Sequence, residues 1–536
     1  MKKLICKIGL LAVLASPIIS GCSNFEELNS NPDVTTKVNP ALLATNLIKS
    51  MVTSGMSYNS VFFQKQAFYA QGTSYGYQYN LISNSNFDQI RNLTNAQKMM
   101  ELSSEEMKDA YSGLFYFMKG WAFWRATMEM GDIPYSQALQ INEFRYPKFD
   151  SQKDVFIGIL NDLALADEHF SKAKMAFPGD PFYNGDPQKW RKATNVLRLK
   201  VLMSLQKRAD DTPELKVKEE FKKIVTEGNL FEGNDDNLQV VYAESPISNR
   251  PPYHVLNYPT SDTNWCASDF LVNPLKEYED IRLFYYFAPI ESLTDPALLS
   301  IAKNNGIVPQ DQELLAPNDW NAYVGMNPAG EYIKEVALWS NNMHSKLNEM
   351  YRFGFALPCI RLGYTDMNFI LAEAVERGWI SGSAKTYYDN GVRANFEFIR
   401  KYFVKFKYAD TEYDPTHGVE ITDEYITNYL SGSSKTAYKE AGSQTDRLHQ
   451  IWMQSYIASY WHQAFDEYFN YRRNGYPEWP IDPATNMNDR APDKIPTRYL
   501  YPTSEYNYNN ENREAAVKAQ GWGAEETIND IMWVIK

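Results

Sequence analysis

The sequence predicts an all-α protein, on two observations. Apolar residues recur at spacings of three and four through long segments, and strand-like alternation is scarce. With 44% hydrophobic residues in 536, the chain has ample material for a large core. Aromatic residues make up 14%, with 37 Tyr and 12 Trp, which suits bulky packing between helices because Tyr and Trp bury a ring while keeping a polar tip wet.

In chain order, the first element is an address rather than part of the fold. Lys2, Lys3 and Lys7 precede or interrupt an apolar run ending at Ser20, which also contains Pro17. That run is shorter than the roughly 20 apolar residues needed to span a bilayer, and it has the layout of a secretory signal. The boundary "ISGC" at residues 19–22 resembles the lipobox of bacterial lipoproteins, so residues 1–21 are expected to be removed and Cys22 lipidated. An ordinary signal peptide followed by a chance cysteine is the alternative. Residues 22–40 lack apolar periodicity and are rich in Asn, Pro, Thr and Ser, so they read as the lipidated N-terminus and its tether. Residues 41–536 read as a single domain, with the membrane reached only through the lipid.

Helical patterns follow at 105–129, 154–170, 190–205, 365–377, 384–402 and 446–470. In 154–170, Val155, Phe156, Ile159, Leu160 and Leu163 make one stripe. Trp190, Ala193, Leu197, Val201 and Leu205 make another, with Asp186-Pro187 as its start signal. The two patterns at 365–402, with Ala372 and Ala374 inside the first, are spaced like one tetratricopeptide helix pair. Between them and the earlier helices, about 231–364, Pro and Asn are frequent, and the stretch reads as long loops with short inserted helices, where function tends to reside.

Charge and cysteine usage narrow the partners. Cleavage after residue 21 removes three lysines and no acid, taking the formal charge from -13 to -16, which disfavours nucleic acid. Of four cysteines, Cys266 and Cys359 remain in the body, either paired or as buried thiols.

Six segments, "GDIPYSQAL" (131–139), "YPKFDSQKDVF" (146–156), "YNGDPQKWRKATNVLRLKVLMSL" (183–205), "LGYTDMNFILAEAVERGW" (362–379), "YFNYRRNGYPEWP" (468–480) and "IPTRYLYPTSEYNYN" (495–509), together resemble the SusD/RagB family, nearest its second SusD-like branch. Residues 231–345 carry no family pattern. The resemblance implies a scaffold of about four tetratricopeptide-like helix pairs with inserted loops forming a ligand face. It also implies a nutrient-binding lipoprotein of the Bacteroidetes outer membrane, facing outward, that passes oligosaccharide or peptide to a SusC-like TonB-dependent transporter.

For ligand contact the residues themselves point to aromatics outside the apolar stripes. Tyr75, Tyr77 and Tyr79 with Asn80, in "QGTSYGYQYN", could stack on sugar faces and bond hydroxyls. Trp265, and Trp320 with Tyr323, have similar surroundings. Other motif residues read as structural: Gly131, Pro134 and Tyr135 as a turn, Arg472, Arg473 and Gly475 as a helix end, and Arg498, Tyr501, Pro502 and Glu505 as a clamp on the C-terminal segment. A glycan-degrading enzyme is the competing class, since two of 66 acids could meet in space. Against it, Asp366, Glu373 and Glu376 fall in the helix-pair pattern, Asp466 and Glu467 look like helix ion-pair partners, and no nucleophile, metal-binding or phosphate-binding motif occurs. Neither a cofactor nor a metal is expected. An adhesive or structural surface protein is the remaining alternative.

Overall fold

The computed structural model describes residues 38–53, 66–69, 82–252, 254–257, 259, 261–462 and 466–536. Its scaffold is four consecutive helix pairs: α1 (Pro40–Thr53) with α2 (Asp88–Leu102), α3 (Lys108–Met130) with α4 (Gln152–Lys172), α5 (Pro187–Ser204) with α6 (Val217–Glu227), and α7 (Tyr364–Glu376) with α8 (Ala384–Tyr402). Each pair packs on the next, and α9 (Gln444–Ala458) lies against α7.

The sequence accounts for these elements locally. Asp186 caps α5, its carboxylate accepting from the Gln188 amide at 2.8 Å, and Pro187 occupies the first turn where its missing N–H costs nothing. Trp190, Ala193, Leu197, Val201 and Leu205 are all fully buried. Ser151 and Ser383 cap α4 and α8, and Ser443 with Asp446 forms a reciprocal capping box on α9. The long α3–α4 contact depends on glycine. A Cβ at Gly113 would come within 2.7 Å of the Phe170 ring, and one at Gly120 within 2.5 Å of Leu163, so two glycines seven residues apart admit the large side chains of an antiparallel neighbour.

One boundary differs from the sequence pattern. The segment 446–470 is not one helix: α9 ends at Ala458, Trp461 takes a left-handed backbone with φ 67°, and helix resumes in α10 (Asp466–Asn474). A bulky residue in that conformation stops a right-handed helix, and no Gly or Pro announces it.

The described residues of 231–364 form short helices and turns, tied down by two-stranded pairings. Strand β2 (Leu238–Val240) pairs with β4 (Cys359–Leu362), and β1 (Ala67–Tyr69) pairs with β3 (Trp265–Ala267). This region shares an aromatic-rich second core with α8 and α9, separate from the first core under α1–α6. Arg282 is buried in it without exposed surface, bonded to the Asp280 carboxylate at 2.6 Å, Asn395 at 2.8 Å and Gln454 at 2.7 Å. Cys266 and Cys359 are buried free thiols. Among the described residues, no helix is long and apolar enough to cross a membrane.

Candidate ligand-binding groove

The residues expected to face ligand divide three ways. Cys22, Tyr75, Tyr77, Tyr79 and Asn80 lie outside the described residues. Trp265 and Tyr323 are corrected: both have no exposed surface and belong to the second core. Trp265 packs its ring 4.9 Å from that of Trp461, while the Tyr323 ring lies 5.2 Å from Phe284 and its hydroxyl donates to the Pro317 carbonyl at 2.8 Å. Asn264 and Ser268 beside Trp265 are buried with it, while Asp319 accepts from the Asn321 amide, and the rings turn inward. Of the three described candidates, Trp320 alone is partly exposed, its ring 4.7 Å from Phe284.

Four of the five carboxylates singled out in the sequence hold helices together. Lys200 on α5 meets Asp366 of α7 at 2.5 Å and Asp466 of α10 at 2.9 Å, and Asp466 also takes Arg125 of α3 at 2.9 Å. Asp466 is therefore a tie across helices rather than a partner within its own. Glu373 pairs with Arg473 and with Arg377, and Glu376 with Arg447 at 2.8 Å. Burial raises Glu467 to about 8, with the neighbouring Asp366 charge adding to the rise, so it is a neutral acid at pH 7.

The C-terminal motif is the clamp the sequence suggested. Arg498 bonds the Met130 carbonyl at 3.2 Å, Tyr501 donates to the Asp132 carbonyl at 2.8 Å, and Arg472 reaches the carbonyls of Met128 at 2.6 Å and Thr497 at 2.7 Å. Leu500 exchanges backbone hydrogen bonds with Ser83 and Ser85. These contacts fix α11 (Thr503–Tyr508) beside the start of α2.

Between α2, α11 and the loop 134–147 lies an open groove of about 410 Å³, within the size range of ligand sites. Phe87, at the N-cap of α2, and Ile90, Arg91 and Thr94 within it form one wall, and Glu505, Tyr508 and Asn509 another. The loop supplies Leu139, Ile141, Phe144, Arg145 and Tyr146. Ile141 is 76% exposed, Tyr508 75% and Tyr146 52%, a concentration of free apolar surface that water does not favour. The loop is held in shape before any ligand arrives. Asp150 accepts from the Tyr135 and Ser136 amides at 2.9 and 2.8 Å, and Gln137 accepts from the Lys148 amide at 2.9 Å. Asn509 and Asn512 donate to the carbonyls of Pro147 and Tyr146 at 2.9 and 3.1 Å. Pro134 and Tyr135 thus serve the turn, as expected, but the turn builds a groove that the sequence reading missed. The signal was present in "QINEFRYPK", where Ile141, Phe144 and Tyr146 have neither a helical nor a strand period to bury them.

The helical-pair scaffold thus carries a preformed, ring-lined groove at one end. The chain belongs to the SusD-like family, described as starch-binding and associating with the outer membrane, whose model matches residues 32–502. A SusD homolog of known structure from Bacteroides fragilis is 37% identical over 93% of this chain and 100% of its own, with a TM-score of 0.82. An outer-membrane protein from Bacteroides vulgatus, described as involved in nutrient binding, is 30% identical over 93% of this chain and 100% of its own, with a TM-score of 0.79. A second Bacteroides fragilis SusD homolog is 29% identical over the same shares, with a TM-score of 0.78. No protein of curated function matches the chain.

Proposed function

We propose that this chain is a surface nutrient-binding lipoprotein, anchored through Cys22, that captures oligosaccharide and delivers it to a SusC-like TonB-dependent transporter. In this reading residues 1–21 are the signal, 22–40 the lipidated tether, and 41–536 the single binding domain. The observation that carries it is the groove. Exposed rings at Tyr146 and Tyr508 suit stacking on sugar faces, and Gln137, Gln140 and Asn509 suit hydroxyl groups. Among the described residues Glu505 is the single carboxylate of its lining, whereas glycoside hydrolysis ordinarily uses two flanking the bond. Membership of a family associating with the outer membrane supports the location. The test is a titration panel of saccharides and peptides against protein beginning at residue 23. Binding of at least one saccharide, without new reducing ends, supports the reading, whereas peptide-only binding or cleavage of the saccharide contradicts it.

A further inference from the structure

The charges of the groove are uneven, and this bears on which saccharide it takes. Its lining holds two guanidinium groups, Arg91 and Arg145, against the one carboxylate of Glu505, in a chain whose formal charge is -13. Arg91 already has a partner, Asp88, at 3.1 Å. Glu505 accepts from Asn509 at 3.0 Å and Ser504 at 3.3 Å. Arg145 is different: its guanidinium lies 5.6 Å over the Tyr146 ring and makes no ion pair among the described residues. Lys148, exposed two residues beyond Tyr146, likewise makes none; it and Glu143, the acid of this loop, both lie outside the lining.

An exposed arginine beside a tyrosine face presents two kinds of recognition at one point. The ring can stack on a pyranose, and the planar fork can take a carboxylate or sulfate in two parallel hydrogen bonds, which a hydroxyl cannot match in strength. An anionic ligand would also bring its own counter-charge to a cation otherwise left to solvent.

Resting on the proposed groove as the ligand site, we infer that it selects acidic oligosaccharides, with the anionic group placed on Arg145 and the sugar ring against Tyr146. Carboxylated and sulfated sugars share this chemistry.

The test is calorimetric titration of trigalacturonate, a sulfated galactose tetrasaccharide and neutral maltotriose, at low and high salt, against wild type, Arg145→Gln, Arg145→Lys and Tyr508→Ala. The inference expects at least one acidic probe to bind about tenfold or more tightly than maltotriose, since a bond to a charged group is worth that much. That preference should weaken with salt, vanish in Arg145→Gln and survive in part in Arg145→Lys. Which acidic probe binds distinguishes carboxylate from sulfate. Equal binding of maltotriose, or acidic binding unaltered by Arg145→Gln, overturns the inference; if Tyr508→Ala still abolishes binding in that case, the groove reading stands alone. No binding of any probe, or none that depends on Tyr508, overturns both.

Discussion

Arg498 and Glu526 meet at 2.5 Å with essentially no exposed surface on either side chain, and Arg513 approaches the same carboxylate at 3.4 Å. This pair closes the C-terminal segment over the end of α3 and so places α11 at the groove. Removing Arg498 leaves the buried Glu526 carboxylate with the more distant Arg513 alone, at a cost of up to about 3 to 5 kcal/mol. Arg498→Met should therefore lower the melting temperature markedly and also weaken saccharide binding, because Tyr508 loses its support. Denaturant unfolding and titration of the same variant check both effects.

The first core makes the opposite prediction for binding. Trp190 is fully buried, its indole N–H donates to Asp180 at 2.7 Å, and its ring lies 5.1 Å from Phe117. Trp190→Ala should cost about 3 to 5 kcal/mol as a large-to-small core change. Under conditions where the variant remains folded, its saccharide affinity should equal wild type, because none of these residues lines the groove.

Buried titrating groups act on stability in opposite directions as pH changes. Glu467 is raised by burial to about 8, so between about 4.5 and 8 the unfolded chain sheds a proton that the folded chain retains, and stability declines as pH rises through that window. On the acid side, burial alone would raise Glu373, but Arg473 and Arg377 hold it at about 2; its contribution is present above the unfolded carboxylate range and is lost as pH falls toward 2. His462, kept neutral by burial down to about 3, adds to the acid loss below about 6.5. Unfolding free energies measured from pH 3 to 9 should show this shape. Glu467→Gln should remove the decline contributed between about 4.5 and 8 and leave the acid loss below it in place; an unchanged slope across that window would refute the assignment to Glu467.

The anchor is tested separately. Cys22→Ala should abolish palmitate labelling and release the protein from the outer membrane, and persistent labelling with membrane retention would contradict the lipoprotein reading.

Periodicity revealed the scaffold because an amphipathic helix repeats its apolar residues: the stripe of Trp190 to Leu205 and the cap at Asp186 are both where the spacing put them. The ligand face was less legible. Trp265 and Tyr323 sit among Ser, Asp and Asn, and sequence has no sign for which way a loop side chain turns; here it is inward. Trp320→Ala is accordingly expected to reduce stability as well as any binding, since its ring packs on Phe284. The groove escaped notice because its walls are far apart in the chain, at residues 87–94, 134–147 and 504–509, and are brought together by long-range bonds such as those of Arg498, Tyr501 and Asn509.

The most direct test is a crystal structure of the chain from residue 23 grown with the saccharide that binds most tightly. The account predicts sugar density in the groove, with a pyranose ring against Tyr508 or Tyr146. Density at another surface, with the groove filled only by solvent, would contradict it.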